Sequence, residues 1–513
     1  MPSFRRLPTL ALTAVLLAAC GGAQPAASGG SASPASKPAG SQWTVALTEE
    51  ATSLDPGTSD TTNGTNEVQR HIFEALVTYE GQPFKLTPRL AESWTTNGNV
   101  WDFKLRSGVK FQNGDDFTSA DAEYSLKLDL DAKSAHNIYT QGITNVQAVD
   151  PLTLRITTDG PRPGLAANLA QLYILPKSAR DKAGLEAFAA KPIGTGPYKL
   201  TEFTRGQRIV LDANPTYWRG TVQPQRLTIR QIGDPATRVA ELKSGGAQIV
   251  EAPPLPQLPE LSTGNTEVAS LKGARTIIYA FNTTKKPFSD VKVRQAVNYA
   301  VNRDAILKDV LEGHGELLHG AFGSTWPGYD PNLKPYAYDP AKAKQLLADA
   351  GYSGGFETTW TITSGTFLKD REIAEAVASE LNDVGIKVRL QPTERAKLQS
   401  DWLAGTFEGM TSVAWGATAD PDAMLAWSLY QRKGHAPDGK LNSLIDDSRR
   451  TVDPQERVKV LQQLGRYVHD DAYWLFIHAQ DEFYAKRRDV PWQPVPEGQS
   501  FANVELYVLT PKI

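Results

Sequence analysis

The chain has 513 residues, 40% of them hydrophobic, and a formal net charge of −3 at pH 7. This length and apolar content predict a large folded body with two or more subdomains, and the near-neutral charge without a basic stripe argues against a nucleic-acid-binding protein. The single cysteine excludes an intramolecular disulfide bond and a cluster of thiolate metal ligands.

The N-terminal segment predicts an export signal followed by a tether. A short basic stretch precedes an apolar run over residues 7–19, which is shorter than the roughly 20 residues that span a bilayer and fits the core of a secretory signal. The run ends in Leu-Ala-Ala-Cys, with Cys20, and residues 21–42 are nearly all Gly, Ala, Ser and Pro, which is typical of a flexible linker. Leu-Ala-Ala-Cys resembles the bacterial lipobox, which implies a lipid on Cys20; an ordinary signal peptide with an unmodified thiol is the alternative.

The folded body is predicted to begin near Trp43. Residues 100–111 predict a hairpin, because apolar residues alternate with charged ones on both sides of a Ser-Gly turn. A helix is predicted to begin at Thr118 or Ser119, with a hydroxyl group as its N-cap.

Later helices carry clear start signals. An Asp-Pro pair, in which the aspartate caps and the proline takes the first helical position, occurs at Asp234, Asp339 and Asp453. The segment 370–385 has an apolar stripe at helical spacing, and alternating apolar residues after it predict a strand. Helices followed by strands predict the α/β class. The proline-rich segment 251–261 predicts a connection rather than a helix or a central strand.

Two patterns raise the alternative of an enzyme. Residues 351–355 match the G-x-S-x-G pattern of hydrolases, with Ser353 at its centre, but here a capped helix precedes the serine and a strand pattern follows, which is the reverse of a hydrolase elbow. We therefore interpret this segment as a helix end and loop. Acid pairs such as Asp420 with Asp422 would have to face each other across a cleft for glycoside hydrolysis, and neighbouring acids are usually solvated or cap helices.

The sequence gives little support for a metal or phosphate site. His314 and His319 are five residues apart and do not share a helix face, as two zinc ligands would. The segment 194–198, "GTGPY", lacks the lysine and the following helix of a phosphate loop, and Pro197 removes an amide donor, so a structural turn is predicted. We expect no metal and no cofactor.

The body contains, in this order, the segments "WDFKLRSGVKFQNGDDFTSADAEYSL", "PIGTGPYKL", "FNTTKKPFSDVKVRQAVNYAVNRDAI", "YDPAKAKQLLADAGY" and "WGATADPDAML". Their order and spacing resemble the large extracytoplasmic solute-binding proteins of ABC importers, family 5, which include peptide-, nickel- and glutathione-binding proteins. The resemblance runs over essentially the whole body, from "SLDPGTSDTTN" to "ELYVL".

The resemblance implies a two-lobed α/β fold of the periplasmic-binding-protein type, class II, with a hinge between the lobes and an extra domain in lobe one. The expected parts are a signal peptide at 1–19, the lipidated cysteine and linker at 20–42, domain I of lobe one at 43–77, 193–273 and 491–513, domain II of lobe one at 78–192, and domain III, which is lobe two, at 274–490. A ligand that contacts both lobes would favour their closed arrangement.

The function that the resemblance implies is a non-enzymatic receptor, which captures a peptide or peptide-like solute and delivers it to the permease of an ABC importer. We expect an exported monomer without nucleic-acid partners, held to the membrane through Cys20 and facing the periplasm or the outer cell surface. The alternatives are a lipid-anchored hydrolase using Ser353 or an acid pair, an envelope protein that binds another protein, and a receptor for a nickel complex, glutathione or a sugar.

The expected ligand site centres on Trp415 as a stacking wall. Peptide binders of this family have a Trp-x-x-Asp element whose buried carboxylate pairs with the peptide amino group, whereas here the third residue after Trp415 is Thr418. A threonine does not neutralise a buried ammonium group, so either Asp420 takes that role or the ligand lacks an amine there, with Thr418 as a hydrogen-bonding group. Further contacts are expected, by the same resemblance, from Thr61, Thr62 and Asn63 in lobe one, from Tyr279 and Asn282 at the entry to lobe two, and from Arg371 towards a ligand carboxylate.

Overall fold

The computed structural model describes residues 42–57, 63–81, 84–363, 365–494 and 504–512. The predicted export signal, Cys20 and the linker up to residue 41 lie outside the described residues, as do Thr61 and Thr62. Among the helices of the described residues, none has the length and apolar character that crossing a bilayer requires.

The strands of the described residues fall into one large sheet and three small ones. In chain order they are β1 (Gln42–Leu47), β2 (Val77–Glu80), β3 (Lys85–Pro88), β4 (Ala91–Asn97), β5 (Val100–Leu105), β6 (Ile143–Asp150), β7 (Thr153–Thr158), β8 (Tyr198–Thr204), β9 (Arg208–Ala213), β10 (Gly220–Gln223), β11 (Arg226–Gln231), β12 (Ile249–Glu251), β13 (Thr266–Phe281), β14 (Glu316–Leu317), β15 (Phe356–Ile362), β16 (Ile386–Pro392), β17 (Met410–Gly416), β18 (Trp474–Leu475), β19 (His478–Arg487) and β20 (Val508–Pro511).

The helices are distributed along the whole body. They are α1 (Asn63–Ile72), α2 (Ser119–Asp129), α3 (Leu165–Leu169), α4 (Lys177–Ala183), α5 (Leu185–Ala190), α6 (Pro235–Ser244), α7 (Leu258–Leu261), α8 (Val291–Ala300), α9 (Arg303–Ala305), α10 (Pro340–Asp349), α11 (Asp370–Asp383), α12 (Arg395–Ala404), α13 (Asp422–Ser428), α14 (Gly439–Arg450) and α15 (Pro454–Asp470). Short 3₁₀ turns occur at Asn137–Tyr139 and Leu255–Gln257, and a π-helical turn at Ile306–Val310.

The large sheet is mixed and has the strand order β16-β15-β17-β13-β19-β12-β1-β11-β9-β8, with β14 added to β19 and β18 added to β13. β1 runs parallel to β11 and β12, and β15 runs parallel to β16 and β17, whereas β13 is antiparallel to its neighbours. β4, β5, β7 and β6 form a separate four-stranded antiparallel sheet. The predicted α/β class is confirmed.

β13 joins the two halves of the large sheet. Its first part pairs with β19, and from Arg275 onward it also pairs with β17. The register shifts between Leu271 and Arg275, where Gly273 has a φ of +56° that favours glycine. The Asp481 carboxylate of β19 holds this bulge, because it accepts hydrogen bonds from the Gly273 amide at 2.9 Å and from Lys272 Nζ at 2.6 Å.

The β13–β17 ladder separates two large apolar clusters. Val413 and Ile278 belong to the cluster on one face, and Met410 and Tyr279 belong to the cluster on the other. This division follows from the strand period of two, because alternate residues point to opposite faces. A third cluster, within residues 76–174, fills the space between the four-stranded sheet and helices α2 and α3.

The helix starts that depend on local chemistry are confirmed. Thr118 is the N-cap of α2, and Asp234, Asp339 and Asp453 each cap a helix by accepting hydrogen bonds from backbone amides of its first turn. The apolar stripe of α11 is buried, and strand β16 follows it as predicted.

The predicted hairpin is wrong in its second half. β5 ends at Leu105, and Phe111 is not in a strand: its amide donates to Asp115 O at 2.9 Å within a tight loop, so the alternation after the Ser-Gly turn reflects burial of the loop's apolar side chains. Segment 251–261 connects β12 to β13 as predicted. It also contains single turns of 3₁₀ and α-helix, because its prolines occupy first-turn positions, where no amide donor is needed.

Candidate functional site

Trp415 is the penultimate residue of β17 and is half-buried at the end of the strand. Its ring lies 6.2 Å from that of Tyr139, in the 3₁₀ turn that follows α2, and 5.2 Å from that of Trp427 on α13. Trp427 in turn lies 5.2 Å from Trp402 on α12. We call these four residues the aromatic row. It brings together segments from distant parts of the chain. Trp402 is fully buried, whereas Tyr139, Trp415 and Trp427 are half-buried and offer apolar surface of the kind that lines ligand sites.

The aromatic row carries polar groups that have no partner among the described residues. No hydrogen bond joins the indole N–H groups of Trp415 and Trp427, or the hydroxyl of Tyr139, to another described residue. Thr276 is directly opposite Trp415 on β13, and its buried Oγ1 has no partner among the described groups. Burial raises the pKa of Tyr139, so its hydroxyl stays protonated and able to donate at neutral pH.

The loop after β17 is built on two buried ion pairs. Both oxygens of Asp420 accept hydrogen bonds from Arg457, with Nη2 at 2.9 Å from Oδ1, and Oδ1 also accepts from the Asp422 amide at 3.0 Å. Asp422 accepts from Arg449 Nε at 2.5 Å and from Asn168 Nδ2 at 3.2 Å. These four charged side chains are each 11% exposed or less. The expectation that such neighbouring acids are solvated or capping is therefore wrong for this pair.

The buried environment shifts the pKa of Arg457. Burial lowers the pKa of Arg457, but the Asp420 carboxylate outweighs this effect and the net shift of its pKa is upward. Arg457 is therefore fully charged at neutral pH. Its Nε also donates to Ser448 O at 2.7 Å, which ties α15 to the end of α14.

The surroundings of the row contain further polar links between separate segments. Arg450 Nη1 lies 3.0 Å from Asp159 Oδ1, and Arg449 Nη2 lies 3.5 Å from Gln141 Oε1. Together with the Asn168–Asp422 bond, these links join the segment 141–168 to the segment 422–450. Arg395 of α12, the helix that carries Trp402, pairs with Glu49, which follows β1.

The structure brings few of the other expected site residues to Trp415. The Thr418 hydroxyl is close in sequence but donates to Asp420 O at 2.6 Å. Tyr279 is on the opposite face of β13, where its ring packs edge-on against Trp360. Asn282 is buried and donates to Phe407 O at 2.7 Å.

Two further expected residues lie at helix starts. The Arg371 side chain, 66% exposed, pairs with Glu375 on the surface of α11. Asn63 is the first residue of α1.

The two glycine motifs have structural explanations. Ser353 is exposed in the turn between α10 and β15, and a Cβ at Gly355 would lie 2.0 Å from Gly385 O, so this glycine allows two loops to touch. A Cβ at Gly194 would lie 2.0 Å from Ile72 O at the end of α1. The predictions of a helix end with a loop and of a structural turn are confirmed. Within the described part of the chain, no group of three or more His, Cys, Asp or Glu side chains could hold a metal ion.

Trp415 was expected from the sequence, whereas its neighbours in the aromatic row were not. Tyr139 and Trp427 carry no motif, and Arg449 and Arg457 look like ordinary surface residues of amphipathic helices. The signal that could have identified the arginines is their position: each is on a helix that follows the two acids of the loop.

Comparison with known proteins gives a consistent result. The model of the family described as "Bacterial extracellular solute-binding proteins, family 5 Middle" matches residues 85–436. Heme-binding protein A of Haemophilus influenzae is 29% identical over 511 residues, covering 91% of this chain and 92% of the relative, and glutathione-binding protein GsiB of Escherichia coli K12 is 27% identical, covering 90% and 94%. The structure of the ABC transporter-associated periplasmic binding protein DppA from Helicobacter pylori, in complex with the peptide STSA, matches with a TM-score of 0.80 and 26% identity, covering 91% of this chain and 98% of that one. The expected periplasmic-binding-protein fold is confirmed.

Proposed function

We propose that this chain, which belongs to the bacterial extracellular solute-binding proteins of family 5, captures a peptide or peptide-like solute between two lobes and delivers it to the permease of an ABC importer. The solutes named for its relatives, a peptide, glutathione and heme, are all larger than a single amino acid. They suggest a cleft of considerable size in this chain.

The proposed lobes follow the ranges expected from the sequence. Lobe one comprises 43–77, 193–273 and 491–513 with 78–192, and lobe two comprises 274–490. The bulge between Leu271 and Arg275 supports a boundary near residue 273, because β13 gains β17 as a second partner directly after it. Gly273 in this bulge is suited to a hinge, since a residue without a Cβ allows the widest range of backbone angles, and Asp481 ties the bulge to β19.

The observation that carries the proposal is the contact between Trp415 of the proposed lobe two and Tyr139 of the proposed lobe one. A solute that inserts between two such aromatic rings contacts both lobes at once, and only a ligand with this property favours closure. We propose Trp415 as the stacking wall, with Thr418 shaping the adjacent loop and with residues 61–63 of the proposed lobe one as further contacts. Arg371 lies on the surface and Tyr279 and Asn282 are buried, so we propose no direct contact between these three side chains and the solute.

Calorimetry tests the role of Trp415. The full chain is purified without denaturation in the presence of detergent, and native mass spectrometry identifies the released small molecules. Trp415→Ala is expected to weaken binding of the identified solute by about 30-fold or more, since truncation of a central aromatic anchor costs about 2 kcal/mol or more. The control is Trp94→Ala, since Trp94 is also half-buried but stacks on Phe103 in the separate four-stranded sheet. Equal effects of the two substitutions would contradict the proposed site.

Native mass spectrometry also separates the classes of solute. A solute that is lost on addition of a chelator identifies a metal complex, and one that is retained identifies a peptide or another metal-free compound. The exposed position of Ser353 gives no support to a hydrolase, so we propose that the chain is not an enzyme. Loss of a measured hydrolysis in Ser353→Ala would contradict this.

We propose further that the exported chain is anchored by a lipid on Cys20, on the basis of the Leu-Ala-Ala-Cys sequence and the linker after it. The glycine-, alanine- and serine-rich linker would let the tethered body reach its permease. Metabolic labelling with an alkyne fatty acid tests this: the wild-type chain is expected to carry the label and Cys20→Ser to lack it. A label that persists in Cys20→Ser would contradict the anchor.

A further inference from the structure

The loop after Trp415 contains acids, but their charges are already balanced within the protein. Asp420 is bound by two nitrogens of Arg457, and Asp422 is bound by Arg449 and Asn168. Two carboxylates face two guanidinium groups, and all four side chains are buried. A charged ammonium group placed beside this loop would therefore find no free negative charge, and an unpaired buried charge is costly.

The other buried acids near the aromatic row also have partners. Asp129 lies 3.3 Å from the ring nitrogen Nδ1 of His136 and accepts a hydrogen bond from Ser134. Glu482 accepts from Arg275 Nε at 2.9 Å, where Arg275 is next to the end of β17 in the sheet. Glu482 therefore offers no unbalanced charge, and the Asp129 carboxylate is already engaged by a hydroxyl group and an imidazole nitrogen.

The side-chain polar groups around Trp415 that lack a partner among the described residues can all donate a hydrogen bond, and the two hydroxyls among them can also accept one. An indole N–H donates and does not accept, so Trp415 and Trp427 each offer one donor to a ligand. The Tyr139 hydroxyl and the buried Thr276 hydroxyl have protons that no described group accepts. The complement of an aromatic wall with free donors is a flat or apolar solute that carries acceptor oxygens.

On the basis of the proposed function, we infer that the ligand group received beside Trp415 is neutral or anionic and accepts hydrogen bonds, and that the receptor does not select for an ammonium group there. The Arg457–Asp420 and Arg449–Asp422 pairs set this selectivity, because they neutralise the acids that could otherwise bind a cation. The solute class is thus an N-blocked peptide or another acceptor-rich compound with a flat or apolar part.

A competition between matched peptides tests the inference on the full chain. Short peptides are supplied as an equimolar mixture in which each sequence is present with a free α-amine and as its Nα-acetyl form. The chain is re-isolated, and the bound forms are quantified by mass spectrometry. The expected ratio of free to acetylated peptide is no more than about 3. A higher ratio would overturn the inference while leaving the proposed function intact.

The remaining outcomes are also decisive. If no peptide is retained but a co-purified solute is identified, a solute without an ammonium group supports the inference and one with an ammonium group overturns it. If no solute of any kind binds, the proposed function fails and the inference fails with it.

A pair of variants isolates the charge effect in the same mixture. Thr418→Asp adds a carboxylate without an arginine partner and is expected to raise the ratio of free to acetylated peptide at least tenfold. Thr418→Asn introduces a neutral side chain of nearly the same shape as aspartate and is expected to leave the ratio of free to acetylated peptide unchanged. An equal rise in both variants would overturn the charge argument, and if Thr418→Asp does not fold, the wild-type ratio decides.

Discussion

The Arg457–Asp420 pair gives the sharpest prediction about stability. Arg457→Met keeps an apolar side chain of similar length but removes both hydrogen bonds to Asp420, whose carboxylate is 6% exposed. Breaking a buried ion pair by removing one partner costs about 3–5 kcal/mol, because the remaining charge is left without compensation. The free energy of unfolding is expected to fall by that amount, and urea denaturation followed by circular dichroism measures it.

The chain offers a matched control for this experiment. Arg155 and Asp102 form the same two-nitrogen, two-oxygen contact, but their side chains are 44% and 36% exposed. Arg155→Met is expected to leave the urea midpoint nearly unchanged, because exposed ion pairs contribute little. The double variant Arg457→Met/Asp420→Asn is expected to recover much of the lost stability, since no unpaired charge remains. Equal midpoints for Arg457→Met and Arg155→Met would refute the reasoning.

Three further predictions follow from other parts of the body. Burial raises the pKa of Glu67 to about 8, so its contribution to stability is full below pH 4.5 and is lost as the pH rises through 8. Over this window the free energy of unfolding of the wild type, relative to that of Glu67→Gln, should fall by up to about 1.4 kcal/mol per pH unit in denaturation measurements. Parallel pH profiles of the two proteins would contradict this prediction. Gly355→Ala should lower the free energy of unfolding by more than about 1 kcal/mol, because the new Cβ would meet Gly385 O and the residue has a φ of +76°. In Gly354→Ala the new Cβ meets no atom within 4 Å, so this control should be neutral in the same thermal unfolding measurement. Arg450→Ala removes the ion pair with Asp159 between the proposed lobes, and calorimetry should show solute binding weakened by no more than about fivefold. Arg155→Ala removes a pair that lies within one sheet, and it should leave the affinity for the solute unchanged.

The sequence predicted those parts of the fold that depend on local chemistry. An aspartate side chain accepts from the amides of the turn that follows it whatever surrounds the helix, so Asp234, Asp339 and Asp453 marked three helix starts correctly. The second half of the predicted hairpin failed, because Val109 and Phe111 alternate to fill the third cluster from a loop and not to pair in a ladder. Alternating apolar residues indicate that every second side chain is buried, and in this segment the buried side chains belong to a loop.

The candidate site was predictable only in part, because its geometry is tertiary. Trp415 could be predicted from its resemblance to a family element, but no local pattern places Tyr139 beside it. The same limit applies to Asp420, whose charge is visible in the sequence while the arginine that neutralises it is on α15, a helix that begins 34 residues later.

The sequence left open whether Asp420 replaces the missing acid at position 418 as an anchor for an amine. Its carboxylate is a poor anchor for such a group, because an incoming ammonium would have to compete with two hydrogen bonds from Arg457 in a buried loop. Displacing Arg457 would also release its bond to Ser448 and leave a guanidinium group buried without a partner. Thr418 fits the remaining possibility, since a neutral side chain there adds no charge that a ligand would have to balance. The absence of an acid at position 418 and the neutralisation of the acid at 420 therefore act in the same direction, towards a solute that is bound by stacking and by donated hydrogen bonds.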